Sequence, residues 1–241
     1  MSRLRNIPGS RDVIAASEFV IRDAEEKRGN WPEIFDHKAL PEIEIGMGKG
    51  RFLMDMAERY PDRNFVGIEM QSSVLFRAIQ KAEVRAMKKT APEGSSDPAV
   101  IPASVTDGRP GVWKGCNFRF LLMDARKLTD VFAPGEVGWI YLNFSDPWPK
   151  ERHGNRRLTA PGFLRMYREI LADGGGVTFK TDNRELFDFS LAAVQEEHYH
   201  LEAVSRDLHA DEALCRDNVM TEYEEKFSAK GNPICMLKAR P

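Results

Sequence analysis

Three glycines and five carboxylates carry much of the chemistry open to this 241-residue chain. The stretch Glu44-Ile-Gly46-Met-Gly48-Lys-Gly50 sets an acid ahead of a turn whose glycines let the backbone bend tightly and approach a ligand without Cβ clashes. Its spacing argues against the common phosphate cradles. A dinucleotide fingerprint needs glycine at the sixth position, where Arg51 stands, and Gly50 is not followed by the Lys-Ser or Lys-Thr of a Walker loop. An acid just before the glycines suits a ligand with a positive amino group better than a pyrophosphate. Glu69, Asp124, Asp146 and Asp182 complete the set, each at or just after the end of a short apolar run.

The elements that must position these acids are legible as periodicity. Strands are expected at Glu42–Ile45, Asn64–Glu69, Phe118–Met123, Gly138–Phe144 and Val177–Lys180. Between them run helical stripes: Phe52, Leu53, Met56 and Tyr60; Val74, Leu75, Ala78, Ile79 and Ala82; Phe163, Leu164, Tyr167, Ile170 and Leu171; Leu186, Phe187, Leu191 and Val194. The glycine run 174–176 is expected to close the third of these helices. This alternation predicts an α/β fold, a doubly wound and mostly parallel Rossmann-like sheet with helices on both faces. His200–Val204, with either Tyr223–Phe227 or Ile234–Leu237, is expected to add an antiparallel edge hairpin. Residues 1–35 read as a polar N-terminal arm with a short helix, and residues 36–241 as the catalytic domain. Within that domain Lys88–Gly115, rich in Pro, Gly, Ser and Thr, reads as a long inserted loop. The carboxyl ends of parallel strands face one crevice, so the five acids are expected around a single cleft.

That cleft has a definite ligand chemistry. Glu44 would meet an amino group, and Glu69, ending the second strand, would accept from both hydroxyls of a ribose. An aminoacyl nucleoside satisfies both demands, and S-adenosyl-L-methionine is the common one. The stretch from Asn143 to Arg157 follows the fourth strand and concentrates Lys150, Arg152, Arg156 and Arg157 around Trp148 and His153. Such a stretch can neutralise phosphates and offer a base a stacking surface. Pro147 and Pro149 stiffen it and hold Asp146 in place.

In order, Glu44–Gly50, Gly67-Ile-Glu69, Asp146-Pro-Trp-Pro-Lys150, Arg152-His153, Arg156-Arg157-Leu158, Lys180-Thr-Asp182 and Thr221-Glu-Tyr-Glu224 resemble the bacterial tRNA (guanine-N7)-methyltransferase family, from about Trp31 to Lys238. The resemblance implies methyl transfer from S-adenosyl-L-methionine to N7 of the variable-loop guanosine at position 46 of tRNA. By that likeness Glu44, Gly46, Gly48, Gly50, Glu69 and Asp124 contact the cofactor, and Asp146 is the active-site acid. Lys150, Asp182, Thr221, Glu222, Tyr223 and Glu224 bind substrate, while Arg152, His153, Arg156 and Arg157 lie against RNA. Three features depart from the family pattern: Ser145 stands where proline is usual, Asn155 where lysine is common, and 88–115 has no usual counterpart.

Two other readings share the glycine turn: a methyltransferase of the same fold acting on another RNA, a protein or a small molecule, and an RNA-binding protein that kept the fold without the activity. A nicotinamide oxidoreductase is disfavoured by Arg51. Net charge is −2, so an RNA partner has to find a local basic patch rather than a basic protein. Cys116, Cys215 and Cys235 are far apart and form no CxxC pair, and the five histidines are scattered. Neither a disulfide framework nor a metal site is expected, and a cytoplasmic monomer or homodimer is. No stretch approaches the roughly 18 apolar residues that span a bilayer.

Overall fold

In a computed structural model, residues 7–90 and 116–241 are described. The elements in chain order are α1 (Ser10–Ala16), β1 (Pro41–Ile45), α2 (Arg51–Arg59), β2 (Asn64–Glu69), α3 (Ser72–Thr90), β3 (Phe118–Leu122), α4 (Leu128–Val131), β4 (Val137–Asn143), α5 (Pro161–Ile170), β5 (Leu171–Thr181), α6 (Arg184–Glu196), β6 (His200–Ser205), α7 (Glu212–Cys215), α8 (Glu222–Ser228) and β7 (Cys235–Arg240). They form one seven-stranded sheet in the order β3-β2-β1-β4-β5-β7-β6. The first five strands are parallel, and β7 is antiparallel to both β5 and β6. This is the expected mostly parallel, doubly wound sheet. Order reverses between β1 and β4, where the carboxyl ends of neighbouring strands open a crevice.

Strand alternation divides the sheet chemically. Ile43, Ile45, Ile140, Leu142, Val177 and Phe179 all enter the core packed by α5 and α6. Their alternates across the same three strands are Glu42, Glu44, Trp139, Tyr141, Asn143, Thr178 and Lys180, which therefore share the opposite face. On that face a second core gathers α2 and α3 through Phe52, Leu53, Leu75 and Ile79 against Phe65 and Phe120. A polar row thus crosses the sheet centre at β1, β4 and β5, under the helices that a Rossmann-like fold sets beside its ligand.

The structure alters three expectations. Gly174–Gly176 does not close a helix: β5 begins at Leu171 and runs through the glycines, its pairing with β4 jumping from Val137↔Leu171 to Trp139↔Gly176. Gly176 is needed for close approach, since a Cβ there would lie 2.5 Å from the Trp139 ring and 2.7 Å from the Ala239 carbonyl oxygen. Tyr223–Phe227 is helical, within α8. Thr221 caps it, its hydroxyl accepting from the Glu224 amide at 3.0 Å, and local capping overrides the alternating pattern. The antiparallel partner of β6 is β7, which takes in the other candidate run from Cys235 onward and sets Val204 opposite Leu237. Helix α3 continues to Thr90, so residues 88–90 of the expected loop are helical, and residues 91–115 lie outside the described residues.

The N-terminal segment docks on the sheet. Val20 bridges Phe120 in parallel, with Phe120 N donating to Phe19 O (2.7 Å) and Ile21 N to Phe120 O (3.0 Å), which covers the β3 edge. Trp31 is fully buried and its indole donates to Val131 O at 2.9 Å. The buried Glu136 carboxylate collects the amides of Gly29, Trp31 and Ala133. Among the described residues no helix is long and apolar enough to cross a membrane, and no group of three His, Cys, Asp or Glu could hold a metal ion.

Candidate active site

A cavity of about 230 Å³ opens at the carboxyl end of β1, lined by Glu44, residues 46–49, Arg51, Phe52, Asn143, Phe144 and the start of α8 at Thr221, Glu222 and Tyr223. Gly50, expected as a cofactor contact, does not line it and instead packs against Ala78. Gly46, Gly48 and Gly50 all take positive φ (76°, 58° and 71°), which L side chains rarely adopt. A Cβ at Gly46 or Gly48 would point into open space, so the turn presents bare backbone to the cavity. Arg51 then starts α2 directly behind it.

Glu44 lies at the floor and is 2% exposed. Asn143 Nδ2 donates to its Oε1 at 2.9 Å, while Oε2 is buried with no partner. Burial pushes the carboxyl up to about 8, against the opposing pull of the Asn143 hydrogen bond, the Lys180 charge and the Leu53 amide of the first turn of α2. A buried carboxylate oxygen lacking a partner is costly, and a cationic amino group is what would satisfy it. Glu69 closes the back of the turn, taking the Gly48 amide on Oε2 (3.2 Å) and the Gln71 amide on Oε1 (2.9 Å). Burial raises its carboxyl too, with the nearby Asp146 charge adding to the rise.

Behind the cavity wall, Lys180 and Glu224 form a buried pair at 2.6 Å. Lys180 also donates to Asn218 Oδ1 (3.0 Å) and Val219 O (2.9 Å), and Asn218 Nδ2 donates to Glu224 Oε1 (2.6 Å). Burial lowers the Lys180 ammonium, while Glu224 works to hold it charged. This pair anchors α8 to β5. From outside, Arg51 of α2 pairs with Glu225 and Lys81 of α3 with Glu222, so ion pairs draw α8 down beside the glycine turn.

The loop after β4 forms the rim. Phe144 (φ 52°) and Trp148 (φ 43°) both hold backbone conformations that cost non-glycine residues of order 1–3 kcal/mol. Asp146, Lys150, Arg152 and Arg156 are exposed. Arg156 lies over the Trp148 ring (4.9 Å) and His153 meets the same ring edge-on (5.7 Å), giving a basic and aromatic surface. Arg157 turns the other way: its Nε donates to Pro147 O (3.0 Å), its Nη2 to Trp148 O (3.2 Å), and its guanidinium lies over Phe189 (4.3 Å). Tyr223 donates to Asp182 Oδ2 (3.1 Å), stacks on Phe227 (4.1 Å) and meets the Phe144 ring at a tilt (4.9 Å). Asn183, not Asp182, caps α6, accepting from the Leu186 amide, which leaves Asp182 for Tyr223.

The structure sets Glu44 and Glu69 at the glycine turn with the Asp146 charge close to Glu69, and bonds Asp182 to Tyr223 at the cavity wall. Asp124 does not line the cavity, although the preceding Met123 amide donates to Glu69 O at 3.1 Å and so sets it beside the end of β2. That carboxylate caps the turn Ala125–Lys127, is gripped by the Arg126 guanidinium (2.6 Å) and borders a separate cavity lined by Ile21–Glu26 and Lys127. Of Thr221–Glu224, only the first three line the cavity; Glu224 faces inward to Lys180. Sequence reasoning passed over Asn143 and Lys180 as site residues. Both sit an even number of positions from Tyr141 and Thr178 on the Glu44 face, a signal that strand register makes usable.

A family model described as "Putative methyltransferase" matches residues 38–237. A tRNA (guanine-N(7)-)-methyltransferase of Lachnoclostridium phytofermentans is 48% identical over 237 residues, 98% of this chain and 97% of that protein. One from Geobacillus kaustophilus is 44% identical, over 98% and 96%. Among solved structures, an antibiotic-related methyltransferase aligns over 92% of this chain and 96% of its own with TM-score 0.57 at 14% identity. A 16S rRNA methyltransferase aligns over 93% and 94% with TM-score 0.56 at 16% identity, and at such identities the likeness concerns the fold. With a sheet of this order, a glycine turn over a buried acid and relatives of this identity along nearly its whole length, the chain belongs to the tRNA (guanine-N7)-methyltransferase family.

Proposed function

We propose that the protein transfers a methyl group from S-adenosyl-L-methionine to N7 of the guanine at position 46, in the variable loop of tRNA. The observation that carries this reading is Glu44 Oε2, a buried carboxylate oxygen without a partner, under a glycine turn with open space above it. It fits the amino group of the cofactor. Glu69, with lone pairs left after accepting two amides, fits the ribose hydroxyls. When bound, the cofactor supplies an electrophilic methyl on a positive sulfonium.

Guanine N7 carries a lone pair and no proton, so attack needs no general base. The residues therefore work by placement. Asp146, exposed on the strained rim, accepts from the N1 and N2 protons of the guanine's Watson–Crick edge and fixes which nitrogen faces the methyl. Asp182 and Tyr223, bonded to each other, form the far wall for the base, and Lys150, Arg152, His153 and Arg156 take the flanking phosphates. The carboxylates of the cleft also favour the positive charge that the reaction moves onto the guanine. The test is to incubate the protein with tRNA and methyl-labelled S-adenosyl-L-methionine, then cleave with borohydride and aniline. Label in tRNA with scission in the variable loop is expected; label without scission there refutes the assignment.

A further inference from the structure

Arg156 and Arg157 are neighbours in sequence and opposites in space. Arg156 is exposed over Trp148, free to meet a phosphate. Arg157 commits the Nε–Nη2 edge of its guanidinium to two backbone carbonyls, Pro147 O and Trp148 O, ten and nine residues back, and lays its plane on Phe189 of α6. Those carbonyls belong to the two residues that follow Asp146. Trp148 holds φ 43°, a conformation that persists only where the surroundings over-determine it. The fork supplies that determination: two donors in a fixed plane, with that plane fixed by stacking.

We infer that Arg157 is a positioning residue for Asp146, a clamp that holds the Phe144–Trp148 backbone in its strained form, and not an RNA contact. The inference rests on the methyl transfer proposed above. It assigns the paired arginines different work: Arg156 provides affinity and Arg157 the rate. A lysine at position 157 would keep the charge but give a point donor on a flexible stem, with no fork and no stacking plane.

Two measurements on the full-length protein test this. In steady-state methylation of tRNA, Arg157→Lys is expected to lower kcat roughly tenfold to a hundredfold, the scale of a misplaced reacting group. The tRNA Kd, its salt slope and the cofactor Kd should stay at wild-type values. Arg156→Ala should instead reduce the salt slope by about one. In hydrogen exchange, amides in 144–149 should exchange faster in Arg157→Lys and Arg157→Ala, and remain as in wild type in Arg156→Ala. Full kcat in Arg157→Lys, a salt slope reduced by about one in Arg157→Ala, or unchanged exchange in 144–149 would each overturn the clamp. If Arg157→Ala does not fold, Arg157→Lys decides. If wild-type protein fails to methylate tRNA, the proposed function falls, while the exchange data still judge the clamp.

Discussion

Glu44 offers a quantitative test because its proton is linked to folding. In the unfolded chain its carboxyl titrates near the ordinary 4.5, and in the folded protein burial raises it to about 8. The sign follows from that order. Between the two values the folded state keeps a proton that the unfolded state has released, so the contribution to stability is full below pH 4.5 and is lost as pH rises to 8. The loss is about 1.4 kcal/mol per pH unit, or about 3 kcal/mol between pH 5.5 and 7.5. Glu44→Gln keeps the shape and still accepts from Asn143 Nδ2, but it cannot ionise. Urea unfolding of both proteins at half-unit steps of pH should therefore show the variant gaining on wild type across that window, with little further change above pH 8. Other titrating groups largely cancel in the difference. A stability difference that stays constant with pH would refute the reasoning, because Glu44 would then be ionised in the fold throughout. The same experiment with saturating S-adenosyl-L-methionine should flatten the wild-type slope, since a bound cation holds Glu44 ionised.

The site supports further expectations. Cofactor affinity, followed by isothermal titration, should rise by up to about tenfold per pH unit below pH 8 in wild type and be weak and insensitive to pH in Glu44→Gln; the same pH dependence in both proteins would detach Glu44 from the amino group. Asp146→Ala should abolish methylation and leave the cofactor Kd within about twofold, as an exposed rim residue allows; a large loss of cofactor binding would move Asp146 to the other pocket. Glu224→Gln strands the Lys180 ammonium in the interior and should cost about 3–5 kcal/mol in unfolding free energy. Pairing it with Lys180→Met should restore part of that loss, and a double variant as unstable as the sum of the singles would show that the two do not interact.

The order of strands and helices in the first two-thirds of the chain was legible because each element carries its own period. Ile43 and Ile45 against Glu42 and Glu44 mark a one-sided strand in five residues, and no partner is required to read it. Legibility failed where a distant contact outweighed the local signal. The glycines at 174–176 look like a helix stop, yet their missing side chains admit the Trp139 ring and the β7 backbone, and β5 passes through. Residues 7–35 look like a polar arm, yet Phe19, Trp31 and Phe35 are buried against the sheet, too sparsely spaced to show a period.

The residue types at the cleft were determined by the sequence alone: an acid before three glycines, acids at the strand ends, and a basic aromatic loop after β4. Tertiary structure decided what each of them does. It buried Glu44 with one oxygen satisfied and one bare, set Asp124 beside a different cavity, turned Glu224 inward onto Lys180, and separated Arg157 from Arg156 by pointing one at the backbone and one at solvent. The physical reason is range. Periodicity and turn chemistry act over a few residues and can be read along the chain, whereas desolvation and hydrogen-bond partnership arise between residues as far apart as Glu44 and Asn143 and exist only once the sheet has brought them together.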